Sequence, residues 1–253
     1  MYDWPEVQGR TDAFWAAVRA ALPADLAAPE ALSRPDDLSA PWRDPGLVLG
    51  QTCGLPYVSG RAGEAVLVAR PDYDVPGAGD GTYRSALICR ADAPGELGDF
   101  RGGIAAINEP GSQSGHNALL DAVMDVVLDA SEAPFFSRVV QTGAHRASAQ
   151  AVAAGEADIA AIDAVAWALF AELEPARHSQ LRVLAWTRAM PALPFITAPR
   201  FADRVGELAA ALAAGAEQAG ALCNPVAVRP AVDADYDPIR QMAARVQGQR
   251  LAP

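Results

Sequence analysis

Short apolar runs, three to six residues long, alternate along this chain with longer segments whose apolar residues recur at helical spacing. Such alternation builds a sheet covered by helices, so it constrains the fold more than any other feature. Runs at 47–49, 65–69, 85–89, 104–107, 138–141, 158–162, 181–186 and 194–197 predict strands. Segments 11–22, 116–130, 146–154, 164–172, 202–219 and 237–246 predict helices. In the second of these, Leu119, Leu120, Val123, Met124 and Val127 fall on one face and mark a buried stripe. The fold class that follows is α/β. Gly and Pro gather at 71–81 and 191–199, which read as loops, the second as a crossover between lobes. At 253 residues the chain is long enough for one large domain or two lobes, and it shows no internal repeat.

Two polar motifs interrupt this pattern at the same kind of place. Ser112-Gln113-Ser114-Gly115-His116-Asn117 and Thr142-Gly143-Ala144-His145-Arg146 each lie between a strand-like run and a helix-like run. A helix start carries free N–H groups and roughly half a positive charge, which suits an anion. The motifs together hold two of the three histidines and suggest a divided pocket for an oxyanion. Ser112, Ser114 and Thr142 supply hydroxyls, Gly115 and Gly143 let the backbone come close, and His145 donates to a phosphoryl oxygen. Ser114 and Thr142 serve equally well as helix caps. His116 reads either as a ligand contact or as an exposed first-turn residue. Arg84, following Tyr83 at a strand start, is a bidentate fork for an oxyanion or a surface arginine. Asp163 ends the 158–162 run, at the strand edge where open α/β sheets bind ligands, and equally fits an N-cap of the next helix. Tyr57, in the turn-like stretch 51–57, reaches a ligand with its hydroxyl or simply packs.

Composition narrows the chemistry. A formal net charge of -11 argues against nucleic acid and anionic membrane surfaces. All 20 basic residues are arginine, which removes the lysine of a phosphate loop and the amine of a Schiff-base enzyme. Cys53, Cys89 and Cys223 show no C-x-x-C spacing and are odd in number, so neither a complete disulfide framework nor a cysteine zinc site is expected. The histidines show no i, i+4 pairing, and no metal or other cofactor is expected. Gly111-Ser112-Gln113-Ser114-Gly115 resembles a nucleophile elbow but has Gln at its centre, and the order Ser114, His145, Asp163 differs from that of α/β-hydrolases. No catalytic residue is therefore assigned. Met1-Tyr2-Asp3-Trp4-Pro5 lacks the pattern of a signal peptide, and the Ala-rich stretch 208–222 falls short of the roughly 20 apolar residues that span a bilayer. No stable membrane insertion is expected. The expected location is periplasmic if a leader has been removed or omitted, with the cytoplasm as the alternative.

Four stretches, in order, resemble the phosphonate-binding proteins of ABC importers. They are 51–57, 83–90 leading to Gly98-Asp99-Phe100-Arg101-Gly102, 112–115, and 142–163, which reads T-G-A-H-x-A-S-x-x-A-V-A-x-G-x-A-D-I-A-A-I-D. The likeness runs from about residue 46 to residue 197. It implies a type II periplasmic-binding-protein fold, with 1–89 plus 191–253 as one lobe, 90–190 as the other, and a ligand cleft between them. It further implies a solute-binding component of an ABC importer that holds a small oxyanion ligand and works with permease and ATPase subunits. By the family pattern Ser112, Ser114, Thr142 and His145 hold the phosphonate, with Tyr57 contributing from the first lobe. Gln113 stands where the family commonly has Thr, His116 where an aromatic is frequent, and Ala144 where it has Ser. With two hydroxyls fewer, an organophosphonate, aminated ones included, is expected over inorganic phosphate. Trp167, Tyr57, Tyr83 and Cys53 are candidates to line its organic end, and Asp163 to hold an ammonium group. The alternatives are a cytoplasmic sensor or carrier of the same fold, or an enzyme of that fold related to pyrimidine biosynthesis.

Overall fold

The most apolar runs become the buried strands of two sheets in the computed structural model, which describes residues 2–37, 39–93, 95–126, 134–219 and 222–253. The chain divides into two compact units, 1–82 with 191–238 and 83–190 with 239–253.

The first unit contains, in chain order, α1 (Gln8–Ala21), β1 (Gly50–Gln51), α2 (Gly54–Val58), β2 (Val66–Asp72) and β3 (Ala78–Gly79). The chain leaves it through β4 (Thr82–Tyr83). It returns through β10 (Met190–Pro191) and adds β11 (Phe195–Thr197), α7 (Val205–Gln218) and β12 (Ala227–Arg229). Its four-stranded sheet has the order β1-β11-β2-β12, with every neighbouring pair antiparallel. Trp15 and Val18 of α1 and Leu208 and Leu212 of α7 pack with Val68 and Phe195 into the core. The two helices approach closely because Gly215 has no side chain, and a Cβ there would lie 2.4 Å from Val18 Cγ2.

The second unit is built on β5 (Ser85–Arg90), β6 (Ile104–Ile107), α3 (Ala118–Val126), β7 (Arg138–Gln141), α4 (His145–Ala153), β8 (Ile159–Asp163), α5 (Ala164–Leu173), α6 (Pro175–His178) and β9 (Leu181–Trp186). Its sheet runs β7-β6-β8-β5-β9, with β6 parallel to β7 and β8, and β5 antiparallel to β8 and β9. All five residues of β8 are buried, as expected for a strand covered on both faces. The last helix, α8 (Asp237–Val246), begins in the first unit and buries Ile239, Met242 and Val246. That spacing is one helical stripe.

Several elements differ from the sequence-based expectation. The expected strand at 47–49 is displaced to Gly50–Gln51, where the Thr197 hydroxyl donates to the Val48 carbonyl at 2.7 Å and the Ala198 N–H to Leu47. The helix expected over 116–130 starts instead as a π-turn at Gln113–Asn117, followed by α3, and its expected last residues, 127–130, lie outside the described residues. Residues 239–253, expected in the first lobe, belong to the second unit, and the first division falls at Thr82/Tyr83 rather than after Cys89. Arg245 of α8 holds this segment to Asp121 and Asp125 of α3, with the Asp125 contact at 2.7 Å.

Candidate functional site

The order of the second sheet locates a crevice before any side chain is considered. From β6 the chain passes through α3 to β7 on one side, whereas from β8 it passes through α5 and α6 to β9 on the other. Connections that diverge in this way leave a gap at the carboxyl ends of the two central strands, and ligands bind there in open α/β sheets. Both polar motifs and Asp163 lie on that edge. Because β5 is antiparallel to β8, with Ser85 opposite Asp163, Tyr83 and Arg84 reach the same edge.

At the first motif Ser112 caps the turn, its Oγ accepting the Gly115 N–H at 2.9 Å. The Asn117 and Ala118 N–H groups reach back five residues to the Ser112 and Gln113 carbonyls, which makes the turn a π-helix. Such wide turns recur at functional sites because they turn side chains away from the regular helical faces. Ser114, the other serine, is thereby free of capping and places its Oγ 2.8 Å from His145 Nε2. This one contact joins the two motifs, 31 residues apart in sequence. Gly115 makes room beneath it, since a Cβ would fall 1.8 Å from Asn108 Oδ1 and 3.3 Å from His145 Cε1.

The second motif is held to the end of β6 by the main chain. The Thr142 N–H donates to the Ile107 carbonyl and the Gly143 N–H to the Asn108 carbonyl, with Gly143 at a φ of 84° that favours glycine. The Thr142 hydroxyl lies 3.1 Å from the Ile107 and Ala144 carbonyls and 2.7 Å from Ser148 Oγ. A hydroxyl has one proton, so Thr142 shapes its turn before it can serve a ligand.

Burial sets the charge state of the site. It pushes His145 down to about 4, with the Ala161 carbonyl opposing weakly, so the imidazole is neutral at pH 7. Buried polar atoms normally find partners, yet Ser85 Oγ, Asn108 Oδ1 and Gln113 Oε1 make no hydrogen bond among the described residues. Ser85 and Asn108 adjoin this edge, opposite Asp163 and at the end of β6, and Gln113 lies in the turn itself. The Gln113 side chain is wholly buried, its Nε2 2.8 Å from Met242 Sδ.

Other candidate residues stand elsewhere or do something else. Asp163 caps α5, its Oδ1 accepting the Val165 and Ala166 N–H groups at 2.9 and 3.3 Å. Arg84 donates from Nη1 to the Thr187 carbonyl at 2.7 Å, and Tyr83 is buried. His116, considered as a ligand contact, lines a recess with Ser137, Arg138 and Arg250, and its Nδ1 lies 3.1 Å from Asn117 Oδ1. Trp167 is buried, stacked on Phe170 and against His178. Tyr57 and Cys53 belong to the first unit, where Tyr57 Oη donates to Asp233 Oδ1 at 2.9 Å and Cys53 is buried at the start of α2. Sequence reasoning missed Asn108 and Ser85. The position just past the end of a central strand was the available signal for Asn108. Among the described residues no group of three or more His, Cys, Asp or Glu is placed to hold a metal ion, and no helix is long and apolar enough to cross a membrane.

Comparison with known proteins bears on this arrangement. Residues 48–240 match the family described as ABC transporter, phosphonate, periplasmic substrate-binding protein. No functionally curated protein matches the sequence. Among solved structures, PhnD1 of Prochlorococcus marinus, in complex with methylphosphonate, superposes with a TM-score of 0.73 at 15% identity, covering 94% of each chain. PA3383 of Pseudomonas aeruginosa, a binding protein component of an ABC phosphonate transporter, gives 0.72 at 16% identity over 94% of this chain and 82% of that one. XAC2383 of Xanthomonas citri, bound to chloride, gives 0.70 at 16% identity over 96% and 95%. At such identities the likeness establishes the fold, that of type II periplasmic binding proteins.

Proposed function

The chain belongs to the phosphonate-binding periplasmic proteins of ABC transporters, and from that membership we propose that it is the solute-binding component of an importer for a small phosphonate or phosphate ester. The family is one of substrate-binding proteins, which implies permease and ATPase partners. In this reading the chain performs no chemistry of its own and acts in the periplasm. The anionic head of the ligand rests on the π-turn of the second unit, and an interlobe cleft, implied by the family resemblance, forms part of the proposal. The observation that carries the reading is the 2.8 Å contact between Ser114 Oγ and His145 Nε2, which brings two separate anion-type motifs to one point at the switch of strand order. When the neutral imidazole gives its Nε2–H to Ser114 Oγ, the serine hydroxyl is left to donate to an oxyanion without a formal positive charge. The methylphosphonate bound by the Prochlorococcus marinus protein makes alkylphosphonates the first ligands to test.

Titration calorimetry of the purified chain against methylphosphonate, 2-aminoethylphosphonate, inorganic phosphate and sulfate tests the proposal. A phosphonate should bind more tightly than either inorganic anion. Ser114→Ala should weaken it by roughly 10- to 150-fold, the loss of one hydrogen bond to a charged oxyanion of about 1.5–3 kcal/mol. Its melting temperature should fall by no more than the loss of the single hydrogen bond to His145 implies, because Ser112 is the cap. Unchanged affinity in Ser114→Ala, or displacement of every phosphonate by inorganic phosphate, would reject the reading.

A further inference from the structure

Behind the ligand turn lies a second concave feature that the proposed function does not use. It is a recess of about 370 Å³ lined by His116, Ser137, Arg138, Val139 and residues 250–253. That volume is within the range of small-ligand sites. Phe136 at the entry to β7 donates its N–H to the Leu251 carbonyl at 2.8 Å, which fixes the terminal segment as one wall.

The charged side chains that line this recess are both positive, opposite in sign to the net charge of the molecule. The chain has a formal net charge of -11, and several of its arginines are held by carboxylates. Arg188 and Arg245 hold Asp121 and Asp125, Arg204 holds Asp25 and Glu207, and Arg229 holds Asp72 and Asp80. Arg138 and Arg250 both line the recess and make no ion pair among the described residues. Two guanidinium groups lining one recess raise the local positive potential, which favours an anion there. His116 adds a polar ring without a third charge, since burial pushes its pKa below the ordinary histidine value.

We propose that this recess is a second anion site, separate from the Ser114–His145 turn, which takes a small organic or inorganic polyanion between the Arg138 and Arg250 guanidinium forks. A guanidinium offers two parallel N–H donors, the geometry that carboxylates and phosphoryl groups share, so an anion with two such ends satisfies both arginines. The site lies on the same π-turn as the first, with His116 two residues beyond Ser114.

Calorimetry of the full chain with citrate and, separately, with pyrophosphate, at an ionic strength held constant with sodium chloride, provides the test. At least one probe should bind, citrate marking a carboxylate site and pyrophosphate a phosphoryl site. Its affinity should fall by about tenfold or more in Arg138→Gln and in Arg250→Gln, and remain unchanged in Ser114→Ala. Arg138→Lys, which keeps the charge but not the fork, should fall between wild type and Arg138→Gln. Both arginines are exposed, so the variants should melt as wild type does. No binding of either probe, binding undiminished by the arginine substitutions, or binding lost in Ser114→Ala would overturn the proposal.

Discussion

Gly115, Asn108 and His145 meet around a single Cα, and that crowding sets what each can tolerate. In Gly115→Ala the new methyl would lie 1.8 Å from Asn108 Oδ1, too close for the amide to remain where it is. Overpacking of this kind costs about 1–3 kcal/mol, and here the displaced atoms adjoin the Ser114–His145 pair. Gly115→Ala should therefore lower both melting temperature and phosphonate affinity. Asn108→Ala in the same chain should recover part of both, a coupling that a double-mutant cycle of calorimetry and melting curves would measure. His145 gives a second expectation. Its pKa lies near 4 in the folded chain, against about 6.5 in an unfolded one. Between those values the unfolded state binds more protons, so stability is complete above about pH 6.5 and declines as pH falls toward 4. His116 and His178, also lowered by burial, add in the same direction. Denaturant melts of His145→Gln should show a shallower decline over this window than wild type, and an unchanged slope would place the cause elsewhere.

Among the elements, α3 is the one on which the candidate site depends most, since the π-turn runs directly into it. It is held from two directions by one buried carboxylate. Asp121, 2% exposed, bonds Arg188 just before β10 and Arg245 on α8, and both arginines reach Asp125 as well. Breaking a fully buried pair costs about 3–5 kcal/mol, and the partial exposure of these arginines places the cost at or below the lower end. Asp121→Asn should lower stability by up to about 3 kcal/mol in chemical denaturation. If α3 also positions the turn, phosphonate affinity should fall in this variant under conditions where it remains folded. A loss of stability with full affinity would confine the network to holding α8. The start of this helix was legible only in part. The polar cluster ending at Ser114 or Gly115 marked a helix start, but nothing in the local pattern distinguished an α-helical first turn from the π-turn. That choice depends on the Ser112 cap and the burial of Gln113 against Met242, 129 residues away.

For the whole molecule, charge is the property with the most direct consequence. A net charge of -11 repels an approaching anion over distances that salt screens, with a Debye length of about 10 Å at 0.1 M. Long-range repulsion acts mainly on the rate of encounter, while the contacts at the turn govern how long the ligand stays. Stopped-flow binding of a phosphonate should therefore show an association rate that rises with added sodium chloride, the reverse of a steered anion. A rate that falls with salt would mean that the local field of the turn and the nearby arginines outweighs the net charge.

Much of the second unit was readable from sequence because its information is local. The runs at 104–107, 138–141 and 181–186 became β6, β7 and β9 with the expected bounds, since hydrophobic periodicity and the flanking Gly residues act within a few positions. The same locality made the Ser112–Gly115 and Thr142–His145 motifs visible as helix starts. What periodicity does not contain is the partner of each side chain. Asp163 was equally suited to cap a helix or to meet a ligand, and the backbone of α5 took it as a cap. His116 and Ser114, two positions apart in one motif, were turned to different surroundings by a π-turn. The C-terminal residues 239–253 joined the second unit because Arg245 found Asp121 and Asp125, carboxylates more than a hundred residues earlier. Local spacing determined which segments became strands and helices and which polar motifs opened onto helix starts. Pairings between residues far apart in the chain decided which hydroxyls, rings and charges face one another, and only the folded chain brings those together.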